Sequence, residues 1–140
     1  MQFVLDNSVT MRWLFGDGRK DDLAYADRVL QALVRDDTSA VVPAIWSLEV
    51  SNVVVRAEAQ GTLSEARSAE FLGMLQQMPV EADIQTAHHA WANTLQLARR
   101  HKLSSYDASY LELALRRGLP VATLDADLRR ASVKAGVAQF

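Results

Sequence analysis

The chain contains no cysteine. Disulfide bonds, zinc–thiolate sites and iron–sulfur clusters are therefore excluded, and a reducing, cytoplasmic setting is expected. No stretch approaches the roughly 18 apolar residues of a membrane span, so no membrane association is expected. The first six residues, MQFVLD, lack the basic region and long apolar run of a secretory signal. Excess positive charge is missing as well. Fifteen basic residues face 17 acidic ones for a net charge of −2, which taken alone argues mildly against nucleic-acid binding. There is no G-x-x-x-x-G-K-[ST] phosphate loop and no G-x-S-x-G nucleophile turn. Of the 3 histidines, His88 and His89 are consecutive, so on a helix they diverge by about 100° and chelate one ion poorly.

What remains is an ordinary composition, 49% hydrophobic and 23% charged over 140 residues. That is enough chain for one domain with a proper core, spanning 1–140, and no repeat, low-complexity tract or linker divides it. Apolar runs at 2–5, 39–42, 80–82, 121–124 and 137–140 read as strands. Helical spacing of apolar residues marks 8–14, 21–35, 44–59, 84–101, 105–117 and 126–135. Pro43 suits the first turn of the 44–59 helix, and Ser64 can cap another helix reaching about Gln77. Strands alternating with helices predict an α/β fold, a three-layer α/β/α sandwich around a mostly parallel sheet. In such sheets ligands gather beyond the carboxyl ends of the strands.

Two aspartates fall at those ends. Phe3-Val4-Leu5 runs into Asp6, and Val121 to Leu124 runs into Asp125. Each also suits a helix N-cap. Glu49 lies on a polar stripe with Asn52 and Arg56, beside an apolar stripe of Trp46, Val50, Val53, Val54 and Ala57. Asp107 could close a capping box with Ser104, yet it shares its helical face with Tyr110, Leu111 and Ala114. A carboxylate facing a core is costly unless paired or bound to metal. Asp127, in the first turn of the last helix, competes with Asp125 for a place in the site. Taken singly, each acid has a plain structural reading. Jointly, Asp6, Glu49, Asp107 and Asp125 make an all-oxygen cluster suited to a hard divalent cation, Mg²⁺ with Mn²⁺ as substitute, and to phosphodiester hydrolysis. Setting those four acids aside leaves 13 against 15 bases. Phosphate-binding surface is then available from Arg19-Lys20, Arg99-Arg100 with Lys102, Arg116-Arg117 and Arg129-Arg130.

Four blocks carry a family resemblance: Val4 to Ser8, Pro43 to Asn52, Leu103 to Ala114, and Ala122 to Asp125. In this order and spacing they resemble PIN-domain ribonucleases, and among them the VapC-like toxins of prokaryotic toxin–antitoxin pairs. The likeness covers essentially the whole chain. It implies a metal-dependent endoribonuclease with Asp6, Glu49, Asp107 and Asp125 in its acidic site, and supporting polar groups at Ser8 and Asn52. It also implies an RNA substrate, a homodimer and a cognate antitoxin. Three other readings compete. The first is a solitary PIN nuclease outside such a pair. The second is a phosphohydrolase using Asp6 as nucleophile, which would want a second aspartate where Ser8 stands. The third is a silent binding module, against which the intact set of acids counts.

Overall fold

Four short strands, β1 (Gln2–Leu5), β2 (Ser39–Pro43), β3 (Val80–Asp83) and β4 (Val121–Ala122), build a single sheet in the order β3-β2-β1-β4. The computed structural model describes residues 1–35 and 37–140, and among these every strand pair is parallel. Successive side chains of a strand point to opposite faces. Phe3, Val4 and Leu5 are nonetheless all 0% exposed, so both faces of the sheet are covered, as the expected layered α/β fold requires.

The covering helices are α1 (Asn7–Phe15), α2 (Lys20–Val34), α3 (Trp46–Ala59), α4 (Glu65–Gln76), α5 (Thr86–His89), α6 (Leu95–His101), α7 (Ser105–Arg117) and α8 (Ala126–Lys134). Helix α7 packs on β1 and β2, and its residues Ala108 to Ala114 are all buried. It starts at Ser104, whose hydroxyl accepts the Asp107 N–H at 3.1 Å, and stops at Gly118 in the left-handed conformation. The apolar stripe of α3 is buried as expected at Trp46, Val50, Val54 and Ala57.

Four boundaries differ from expectation. Strand β4 stops at Ala122 instead of reaching Leu124, so Asp125 lies three residues beyond its end. Pro43 closes β2 instead of opening a helix, and α3 begins at Trp46. The β2 ladder to β3 still accommodates Pro43 because its missing N–H falls at the end of the strand. The last apolar segment, 137–140, reduces to one bridge, Val121 with Gln139, with Phe140 stacked on Phe3 at 3.9 Å. The helix expected over 84–101 is broken by a π-helical turn, Ala90–Thr94, where Ala92 leaves helical geometry at φ −111°, ψ −105°.

The strand order places the site. From β1 the chain crosses to β2 and β3 on one side, and returns to β4 on the other. The strand order therefore reverses between β1 and β4, the kind of switch point at which parallel sheets form a ligand-binding crevice at their carboxyl ends. Leu5 is in register with Ala122, and the Asp6 N–H donates to the Ala122 carbonyl at 3.0 Å. Asp6 and the segment leading to Asp125 are thereby fixed side by side.

Candidate active site

Asp6 stands at the N-cap of α1 but makes no side-chain cap of that helix. Its carboxylate is instead held across the crevice. Ser8 Oγ donates to Oδ2 at 2.5 Å, and Thr123 Oγ1 donates to the same oxygen at 2.8 Å. Both hydroxyls are themselves oriented: Ser8 Oγ accepts the Leu124 N–H at 2.9 Å, and Thr123 Oγ1 accepts the Asp125 N–H at 3.0 Å. Two backbone donors past β4 thus aim two hydroxyls at one carboxylate on β1. Burial pushes the Asp6 carboxyl above its ordinary range, with the Asp125 charge adding to it and the Ser8 and Thr123 hydroxyls opposing.

Asp125 does cap α8, accepting the Leu128 N–H through Oδ2 at 2.8 Å. The structural and functional readings of this residue coexist, because a carboxylate has two oxygens. Asp107 resolves in the same way. Its backbone N–H completes the Ser104 cap while its carboxyl faces the other acids. Burial, then the charges of Asp125, Asp6, Glu49 and Asp127, push that carboxyl up to about 6. Repulsion among the acids thus contributes, but burial is the larger cause. Glu49 is half-buried on α3. Its Oε1 accepts the Tyr110 hydroxyl at 2.5 Å, and burial raises its carboxyl, with Tyr110 opposing and the Asp6 charge adding. Tyr110 is fully buried, and burial beside Asp6 and Glu49 keeps its phenol protonated as a donor.

The four acids, carried by the end of β1, by α3, by α7 and by the start of α8, lie within reach of one another's charge. Among the described residues no arginine, lysine or histidine offsets the charge of Asp6, Glu49 or Asp107. Ser8 takes the supporting place expected of it. Asn52 is exposed and away from this hydrogen-bond network. Asp127 is exposed at the rim and pairs with Arg130 at 2.9 Å, reaching the site only through its charge on Asp107. Thr123 and Tyr110 were not singled out as site residues from the sequence. The available signals were Thr123 two positions before Asp125 and Tyr110 one helical turn after Asp107.

A further strand-end acid behaves differently. Asp83 ends β3 and is 5% exposed, but Arg116 grips it through both oxygens at 2.6 and 3.3 Å. Arg116 also donates to Glu112 at 2.7 Å. Burial alone would raise the Asp83 carboxyl, yet the Arg116 contacts bring it below its ordinary value. This is a neutralised structural network. His89 lies beside it, 3.7 Å from Glu112, and the histidines form no metal cluster among the described residues.

The donor set of Asp6, Glu49, Asp107 and Asp125 fits a hard divalent cation, being all oxygen and uncompensated. The spacing is looser than in a filled site: among the described residues no three such groups stand close enough to enclose an ion as they are. Carboxylates without a counter-ion repel one another, and the part-exposed side chains of Glu49 and Asp107 have rotamers with which to close in.

The PIN domain family profile matches residues 3–134, and the chain belongs to the PIN domain family. Family membership supports a nuclease as the class of activity. Among solved structures the fold is shared with PAE2754 from Pyrobaculum aerophilum (18% identity, TM-score 0.66, 94% of this chain and 84% of that one). It is shared with VapBC2 from Rickettsia felis, solved bound to a DNA fragment from their promoter (10% identity, TM-score 0.66, 100% and 98% covered). FitAcB from Neisseria gonorrhoeae is similar at 21% identity and TM-score 0.63, with 100% and 96% covered. No curated protein matches the chain. Among the described residues no helix is long and apolar enough to cross a membrane.

Proposed function

We propose that this protein is a Mg²⁺-dependent endoribonuclease and the toxin of a toxin–antitoxin pair. The observation that carries this reading is the contrast between two sets of acids. Asp83 and Glu112 have Arg116 as counter-ion, whereas Asp6, Glu49 and Asp107 are each raised by burial and by at least one neighbouring acid, with no counter-ion. Sustained like charge in a crevice calls for a cation from outside the chain. Asp6 and Asp107 would hold that cation directly, with Glu49 and Asp125 completing the set. When bound, the ion supplies an activated water and neutralises charge on phosphoryl oxygens. The chain supplies the positioning. Ser8 and Thr123 lock Asp6, so one ligand is fixed before substrate arrives. Glu49, steadied by Tyr110, or Asp125 would take a proton from an attacking water.

The purified protein should cleave single-stranded RNA in Mg²⁺ or Mn²⁺ and lose that activity in EDTA. Cleavage that persists in excess chelator would remove the metal mechanism. Asp6→Asn and Asp107→Asn should each abolish cleavage while leaving the fold intact by circular dichroism.

The partner part of this reading has separate support. VapBC2 and FitAcB are named as two-component complexes. The first half of this chain is rich in large apolar residues, Trp13, Leu14, Phe15, Trp46, Val53, Val54 and Val55 among them, and the core consumes most of them. Leu14, Trp46 and Val54 are buried, Val53 and Phe15 pack against the core, and Trp13 packs there with its indole N–H on the Ala26 carbonyl at 2.8 Å. Of that group Val55 alone stays exposed, and Leu48, seven residues earlier on the same face of α3, joins it. This strip runs beside Glu49 and is a surface on which an antitoxin segment can lie and bring a basic side chain to the acids. Ile84 and Trp91, 95% and 93% exposed, offer a second apolar surface for a homodimer. Light scattering of the isolated protein and co-purification with the product of an adjacent short reading frame test the two associations. A monomer at all micromolar concentrations would refute the dimer.

A further inference from the structure

Two of the basic clusters visible in the sequence converge in space. Arg100, His101 and Lys102, at the end of α6, and Arg130 and Lys134, on α8, line one hollow of about 380 Å³. These residues come from elements about 30 positions apart in the chain. Among the described residues Arg100, Lys102 and Lys134 have no acidic partner, and Arg130 has only the exposed Asp127. Basic residues in the last turn of a helix complement its dipole, which accounts for Arg100 and Lys134 one at a time. It does not account for Arg130 in the middle of α8, nor for two helices turning their cations towards a shared space. Gathering like charges is unfavourable unless an anion enters.

Lys102 adds an independent observation. It follows the last residue of α6 with φ +54°, in the left-handed region. That helix-terminal position favours glycine or asparagine, and the helices α1 and α7 do end there on Gly16 and Gly118. A lysine kept in a strained conformation, in a hollow of other cations, points to a role for its charge.

Two links run from the hollow to the segments that carry the acids. Arg130 holds Asp127 at 2.9 Å, and Lys102 lies two residues before the Ser104 cap that positions Asp107. From Asp125 to Arg130 the rise along α8 is about 7.5 Å.

We infer that this hollow binds the phosphate backbone of the RNA strand on one side of the cleaved bond, and so sets the direction in which the strand crosses the acidic crevice. The inference rests on the ribonuclease reading for its ligand, but its test does not depend on cleavage. Binding of a 5′-labelled single-stranded oligoribonucleotide is measured by fluorescence anisotropy in EDTA, from about 50 to 200 mM salt. The variant is R100Q/K102G/K134Q, and the control removes equal charge elsewhere as R19Q/K20Q/R35Q. Loss of three phosphate contacts should lower the slope of log affinity against log salt by about 2, at about 0.7 per contact on single strands. That corresponds to about a hundredfold weaker binding at 0.1 M salt, with the electrostatic contribution vanishing near 1 M. The control should bind as the native protein does. K102G alone should weaken binding while raising the melting temperature, which separates a binding role from a structural one. An unchanged slope in the triple variant, an equal loss in the control, or no binding by the native protein would each overturn the inference. If the native protein binds RNA through these residues but never cleaves it, the hollow stands and the nuclease reading falls.

Discussion

Replacing Asp107 with asparagine should stabilise the metal-free protein while destroying its activity. The carboxyl of Asp107 is raised from an ordinary 3.8 to about 6 by burial and by the neighbouring acids. The folded protein therefore holds this proton more tightly than the unfolded chain does. Ionised Asp107 penalises folding above about pH 6, and the penalty is gone below about pH 4, where both states are protonated. At 1.36 kcal/mol per pH unit the ceiling is about 3 kcal/mol. Asp107 is part-exposed, and solvent screening brings the expected gain to about 1–2 kcal/mol. Asparagine keeps the size, removes the charge and offers its amide as a donor to the remaining carboxylates. For a chain of this length the gain corresponds to a rise of roughly 3–8 °C in melting temperature. Thermal unfolding in EDTA at pH 7.5 should show that rise, and the gap between native and variant should close as the pH falls to 4. In saturating Mg²⁺ the order should reverse. The native protein then gains about 2.7 kcal/mol when the ion is at 100 times its dissociation constant, and the variant does not. A variant that melts lower than native in chelator at pH 7.5, or a gap indifferent to pH, would refute the reasoning about uncompensated charge.

Other outcomes follow from the same contacts. Thr123→Val should cost about 1–3 kcal/mol by leaving the Asp125 N–H without its partner, and should lower cleavage at least tenfold by freeing Asp6; loss of stability with full activity would show that Asp6 needs no positioning. Tyr110→Phe keeps the packing but removes the donor to Glu49, so turnover should fall while the unfolding midpoint in urea moves little. Asp83→Ala should destabilise by about 3–5 kcal/mol, because Arg116 loses a buried counter-ion, yet cleavage per folded molecule should stay near native. Asp127→Asn should reduce cleavage only slightly, and a dead Asp127→Asn beside an active Asp125→Asn would reverse the roles given to these two residues.

The parallel sheet and its helices were legible in the chain because continuous apolar runs and helical spacing are local signals. The exceptions were places where a local signal had a non-local answer. Pro43 fits a helix start equally well, and only its ladder to β3 reveals a strand end. The break at Ala90–Thr94 carries neither glycine nor proline to announce it. Acids were visible at Asp6 and Asp125 for the same reason, each closing a strand-like run. What could not be read was which oxygen each acid commits to what. Asp125 caps and faces the site together, and Asp6 is held by Thr123, a hydroxyl like many others until the fold brings it across. Asp83 also ends a strand, and it differs from Asp6 only through an arginine 33 residues further on.

The bond from Thr123 to Asp6 joins positions 117 apart in the chain. During synthesis, β1 emerges early and must wait for β4 to occupy its free edge. At about 5–20 residues per second the interval is of the order of 6–24 seconds. Throughout it, Asp6 lacks the hydroxyls that orient it, and Asp107 and Asp125 are absent or unplaced. The crevice is thus completed only once the β4 segment has been made, and a nascent chain that stops short of it has no assembled acid cluster. In a protein whose proposed activity would damage the RNA around the ribosome, that delay confines the hazard to chains in which β4 has already been made.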